Sequence, residues 1–211
     1  MVINKELFDT RFYAFDIRSE QTEDEVGILT GRPIVYNSKT DLGYFDEVIE
    51  QGALNGADLK DVRFLVNHDT SMIPLARSRN NNANSTMQMT LDNEGMAIRV
   101  NLDVKNNSEA RNLYSAVQRG DISGMSFMFR VDDEEWTDIE SDHPTRHVRK
   151  ISDVVEVSAV TFPAYDATSI STRNKQALDN ARSALDSARK KSLDSDLELA
   201  KAKALFFTKV R

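Results

Sequence analysis

Met87, Met89 and Leu91 alternate with Gln88, Thr90 and Asp92. After the turn Asn93-Glu94-Gly95 the alternation resumes with Met96, Ile98, Val100 and Leu102. A period of two sends successive side chains to opposite faces of an extended chain, so these runs predict a hairpin with one buried face. A lone hairpin is unstable in water and needs further strands to cover it. The flanking sequence offers them. Residues 12–18 are β-prone. Residues 28–36 are broken by Gly31 and Pro33, which predicts two strands or one bent strand. Residues 44–49 form another candidate. Val62, Phe64 and Val66 alternate with Arg63, Leu65 and Asn67, a half-buried strand that delivers His68 at its end. In residues 122–131, Met125, Phe127, Phe129 and Val131 share one face, and Gly124, Ser126 and Met128 the other. Residues 147–151 and 153–162 predict two more strands, ended by Pro163. The acidic stretch 132–144 around Trp136 reads as a solvated excursion between them.

One helix interrupts this pattern. Ala110, Leu113, Tyr114 and Val117 form an apolar stripe over residues 108–119, with Asn107 or Ser108 as cap and Gly120 as stop. From about residue 171 glycine and proline vanish, and Ala177, Ala181, Ala184, Leu185 and Ala188 recur at helical spacing. An alanine stripe buries little area per turn, so this tail is expected to hold only when docked. The expectation is a mainly β, α+β chain, a barrel or packed body over residues 1–170, with an amphipathic helical tail at 171–211.

Composition narrows the chemistry. The chain has 211 residues and a formal net charge of -7. An acidic chain without a long basic run has no general means of holding phosphate backbones, so no nucleic-acid partner is expected. It has no cysteine, which removes disulfides, thiol nucleophiles and thiolate metal sites. No run approaches the length of a membrane span, and the opening residues are unlike a signal peptide, so a cytosolic protein without membrane contact is expected. The three histidines, His68, His143 and His147, show no metal-ligand spacing, and no metal or other cofactor is expected. Asp132-Asp133-Glu134-Glu135 lacks the glycine-containing frame of a calcium loop and reads as solvated.

Three residues stand out as able to carry chemistry. His68 follows an apolar strand, which fixes its backbone at the edge of a cleft; half-exposed strand capping is its plainer role. Ser126 lies two residues after Gly124 on the second face of its strand, and a serine attacks only when a base takes its proton. The second glycine of a nucleophile elbow is replaced by Met128, which disfavours the hydrolase fold built on that turn. Glu156 sits in the apolar run Val154-Val155-Glu156-Val157-Ser158-Ala159-Val160 and shares a face with Ser158. A carboxylate there either faces water or is buried against a partner such as a histidine.

In order along the chain stand Gly52-Ala53-Leu54, Phe64-Leu65-Val66-Asn67-His68-Asp69 and Pro74-Leu75-Ala76-Arg77-Ser78. Then come Asp92-Asn93-Glu94-Gly95-Met96, Gly120-Asp121-Ile122-Ser123-Gly124-Met125-Ser126-Phe127, and Val155-Glu156-Val157-Ser158-Ala159-Val160-Thr161-Phe162-Pro163-Ala164-Tyr165. This series, over about residues 31–168, resembles the HK97-type phage prohead (capsid maturation) serine proteases, relatives in fold of the herpesvirus maturation proteases. The resemblance implies a closed β-barrel ringed by helices. It implies a serine endopeptidase that cleaves the scaffold or delta segment of the major capsid protein, and often itself, inside the prohead in the host cytoplasm. His68 is then the base and Ser126 the nucleophile. Glu156 falls where the herpesvirus relatives carry a second histidine. The oxyanion hole is implied just beyond, in Pro163-Ala164-Tyr165-Asp166, where proline has no N–H and Ala164 or Tyr165 would donate. The herpesvirus relatives act as dimers, so a homodimer is open here as well. Many relatives have Leu-Gly-Arg where this chain has Leu75-Ala76-Arg77, which requires a negative φ at Ala76. The alternatives are a catalytically idle head-assembly factor of the same fold, or an unrelated β-barrel binding module with a helical tail.

Overall fold

The computed structural model of the chain describes residues 9–13, 17–20, 27–161, 175–187 and 189–191. The described strands are β1 (Asp9–Tyr13), β2 (Arg18–Glu20), β3 (Gly27–Val35), β4 (Lys39–Asp41), β5 (Asp46–Ile49), β6 (Asp61–Val66), β7 (Ala76–Arg79), β8 (Met87–Asp92) and β9 (Gly95–Leu102). Helix α1 (Ser108–Arg119) follows, then the long strands β10 (Gly124–Thr137) and β11 (Thr145–Val160). Residues 175–187 and 189–191 are helical and form α2. The chain is therefore mainly β with two described helices.

The strands pair into two sheets. One runs β2-β3-β9-β8 and contains the expected hairpin, with Asp92 opposite Gly95. Gly95 has φ 139°, and a Cβ there would lie 2.0 Å from the Ile34 carbonyl oxygen, so only glycine fits. The bent-strand reading of residues 28–36 holds: β3 is one strand whose register against β9 shifts between Gly31 and Ile34. The other sheet runs β1-β10-β11-β5-β4, and β6 joins it by pairing with both β11 and β7. The expected barrel closure is not among these pairings. One core spans both sheets, with Leu29, Ile34, Met96, Phe64, Phe127 and Phe129 fully buried. Helix α1 begins and ends as its sequence dictates: the Asn107 side chain accepts from the Glu109 and Ala110 amides, and Gly120 is left-handed at φ 78°. Ala76 is not among the residues with positive φ, so the alanine that replaces the relatives' glycine is unstrained.

Two expectations need correction. The stretch 132–144 is not an excursion from its start, because β10 continues to Thr137 and pairs with β11 from Thr145. Its acids are held by bases on the facing strand: Asp132 by Lys150, Asp133 and Glu135 by Arg149, and Glu134 by Arg146. Opposite charges facing each other across a strand pair favour the ladder. Nor are residues 147–151 and 153–162 separate strands. β11 runs through Ser152 and absorbs the mismatch as register shifts against β10. Helix α2 docks on the turn between these strands, where the Arg182 guanidinium donates to the Ile139 and Ser141 carbonyls at 3.1 and 2.7 Å. Leu178, on α2 itself, is buried.

Ser78, on β7, is fully buried and its hydroxyl has no hydrogen-bond partner among the described residues. An unsatisfied buried hydroxyl is destabilising. Ser78→Ala is therefore expected to raise stability by about 1 kcal/mol, a rise in Tm of about 2–4 °C for a chain of this size. A lower Tm in a thermal melt contradicts this account of the site.

Candidate active site

Ser126, Glu156 and His68 come from three neighbouring strands. β11 lies between β10 and β6, antiparallel to the first and parallel to the second. Ser126 faces Ser158 across the β10–β11 ladder, and Glu156 lies two residues before Ser158 on the same face. The solvated reading of that face is wrong: Glu156 is 1% exposed, and Ser126 and Ser158 are fully buried. On β10, residues 124–129 are buried on both faces, which is why simple alternation underestimates the depth of Ser126.

His68 reaches these strands through an unusual backbone. β6 ends at Val66, and Asn67 and His68 both adopt left-handed conformations, with φ 50° and 56°. Such a conformation costs a non-glycine residue about 1–2 kcal/mol, and strain of this kind persists where surrounding contacts enforce it. Here they do. The Asn67 amide donates to the Ala159 carbonyl. The Asn67 side chain accepts from the Thr161 N–H and donates to the Thr161 hydroxyl, each at 3.0 Å. The His68 N–H donates to Ser158 Oγ at 3.1 Å. The turn is thus clamped to the end of β11.

The clamp aims the imidazole. His68 Nε2 lies 2.6 Å from Ser126 Oγ, and Nδ1 is hydrogen-bonded to Glu156 Oε1. The other carboxylate oxygen, Oε2, accepts from Ser158 Oγ at 2.6 Å. A serine hydroxyl, an imidazole and a buried carboxylate in this order can pass the serine proton to the ring while the carboxylate orients the ring and offsets its charge. The three residues singled out in the sequence are brought together. Ser158 and Asn67, which position them, were not singled out as site residues. Ser158 was visible as the residue sharing a face with Glu156. Ala164 and Tyr165 lie outside the described residues.

The other histidines do not join this group. His147 pairs with Glu50 at 3.2 Å. His143 has carboxylate neighbours that its own stretch of sequence does not show, because β4 and β5 bring Asp41 and Asp46 to it from about a hundred residues away. Those three groups are close enough to share an ion. The Lys39 ammonium already lies 2.9 Å from Asp46. Burial pushes the Asp46 carboxyl up, yet Lys39 and His143 together hold it below the usual range.

Beneath the site lies a buried charge cluster. Arg11 of β1 makes a two-pronged contact with Glu47, at 2.5 and 2.8 Å, and Arg146 lies 3.0 Å from Glu47 and 3.1 Å from Asp9. Burial and the Arg11 charge work against the Arg146 charge, but Glu47, Asp9 and Glu134 together outweigh them and its pKa is raised. Among the described residues no helix is long and apolar enough to cross a membrane.

No curated protein matches the chain. Among solved structures, the bacteriophage T4 capsid assembly protease, gp21, matches at 12% identity and a TM-score of 0.42, covering 74% of this chain and 99% of that one. Residues 13–182 match the family described as Caudovirus prohead serine protease. That span begins before the stretch carrying the sequence resemblance and ends after it, within α2. It takes in most of the chain, which belongs to the Caudovirus prohead serine protease family.

Proposed function

We propose that the chain is a serine endopeptidase in which Ser126 is the nucleophile, His68 its base and Glu156 the carboxylate that orients the base. The observation that carries this reading is the unbroken hydrogen-bonded series from Ser126 Oγ through both ring nitrogens of His68 to the buried Glu156. As Oγ attacks a peptide carbonyl, its proton moves to Nε2. The imidazolium is held by Glu156 at Nδ1–H, then returns the proton to the leaving amine. Ser158 keeps the carboxylate from rotating and ties the His68 backbone to the same strand. Backbone N–H groups at Ala164 and Tyr165 are proposed to stabilise the oxyanion.

The proposed substrate is the scaffold or delta segment of the phage major capsid protein, with self-cleavage as a second event, inside the prohead. A homodimer is part of this proposal, with α2 as one surface available to support it. The test is co-expression with the major capsid protein of the same phage, with capsid-protein size read by intact mass. Removal of an N-terminal capsid segment is expected. Intact capsid protein in shells that contain the folded, packaged chain would favour the idle assembly-factor reading.

A further inference from the structure

A nucleophile has to meet a peptide carbonyl, yet Ser126 is 0% exposed. One group besides His68 sits directly on its hydroxyl: the backbone carbonyl oxygen of Arg11, 2.5 Å from Oγ. A serine hydroxyl has a single proton. With His68 Nε2 at 2.6 Å and the Arg11 oxygen at 2.5 Å, base and carbonyl compete for it. Arg11 belongs to β1, which pairs only with the edge of β10 among the described strands, with Phe12 opposite Ser126. We infer that β1 is an intramolecular occupant of the active-site edge of β10. It closes the site and draws the hydroxyl proton away from His68, and a substrate peptide replaces it as an extended strand. The inference rests on Ser126 being the nucleophile.

The contacts of β1 are those of a latch. Arg11 reaches through the opposite face of the sheet, over the Phe129 ring at 5.6 Å, to Glu47, and Asp9 reaches Arg146. Burying a charge and then removing its partner is strongly destabilising, so a strand fixed only by unshared ion pairs would be permanent. This cluster differs, because Glu47 and Arg146 are already paired at 3.0 Å and Arg146 also holds Glu134. Among the described residues, the cluster with β1 present has three acids (Asp9, Glu47, Glu134) and two bases (Arg11, Arg146). Without β1 it has two acids and one base, so the balance is unchanged. When β1 leaves, Glu47 and Glu134 both keep Arg146. Its departure bares β10 from Met125 to Phe129, and an open strand edge takes an extended peptide through main-chain hydrogen bonds. The matched family span begins at residue 13, so all of β1 but its last residue precedes it.

Because the chain has no cysteine, Ser126→Cys supplies a single thiol whose alkylation reports access without requiring catalysis. The rate with iodoacetamide, followed by intact mass, is compared in Ser126→Cys alone, with Arg11→Ala added, and with Asp9→Asn added. A buried thiol reacts only when its cover opens. Losing a charge-assisted contact that holds the cover is expected to raise the rate about tenfold or more for Arg11→Ala, and by less for Asp9→Asn. Equal rates in all three proteins overturn the inference. Should circular dichroism show Arg11→Ala unfolded, Asp9→Asn decides, since Asp9 is 26% exposed and Arg146 keeps two other acids. The nucleophile reading is separated by treating Arg11→Ala, with Ser126 intact, with a fluorophosphonate. Fast alkylation of the thiol without phosphonylation of the serine would leave β1 as the cover and remove Ser126 as the nucleophile.

Discussion

Ser126→Ala is expected to lower cleavage of the proposed capsid substrate by about 10⁴–10⁶-fold while leaving the fold in place. Attack needs the Oγ lone pair, and no other described hydroxyl stands at His68 Nε2 to substitute for it. What remains is the acceleration that comes from holding the peptide beside an oxyanion site. Structurally the change is small. A methyl group replaces a buried hydroxymethyl, His68 keeps Glu156, and the Arg11 carbonyl loses one donor. The net effect on stability is expected to lie within about 1 kcal/mol. The check is a rate measured on a peptide spanning the capsid cleavage site, together with a thermal melt. A Ser126→Ala protein that cleaves within tenfold of the unchanged chain removes Ser126 from the mechanism.

The parts of this molecule that were legible in its sequence are those whose cause is local. The β8–β9 hairpin follows from alternation and a glycine that no other residue can replace, and α1 follows from its stripe and its two caps. Other features depend on residues distant in the chain. The acidic run 132–135 looks like a solvated loop until Arg146, Arg149 and Lys150 are set opposite it. Read as a pair, two strands of opposite charge indicate a ladder. The partners of His143 are invisible for the same reason, since Asp41 and Asp46 reach it through β4 and β5. Within the site, Glu156 stands out because an acid in an apolar strand needs a partner, and the same alternation places Ser158 beside it. The left-handed turn at Asn67-His68 carried one faint mark, an asparagine where that conformation is least costly. Arg11 carried none. It acts on Ser126 through its main-chain carbonyl, which every residue possesses, and its side chain lies on the other face of the sheet.

Glu156→Gln tests whether the carboxylate sets the tautomer of His68 or merely fills space. Glu156 accepts at both oxygens, from Nδ1–H at Oε1 and from the Ser158 hydroxyl at Oε2. An amide offers one acceptor and one donor group in nearly the same volume. If the amide oxygen stays with His68, the NH₂ group meets the Ser158 hydroxyl, which already accepts the His68 N–H and then has lost its own acceptor. If the amide turns the other way, its NH₂ faces Nδ1, and the ring is driven to carry its proton on Nε2, where it cannot receive the one from Ser126. Either way the imidazolium formed during attack has lost a negative neighbour at a position 1% exposed, where water screens little. The expected result is a fall in kcat of about 10²–10⁴-fold with KM close to unchanged, because no substrate contact is altered. The serine and the base remain, so the residual cleavage is expected to exceed that of Ser126→Ala. A kcat within threefold of the unchanged chain would mean that the buried carboxylate holds the Ser158–His68 turn together and plays no part in moving the proton.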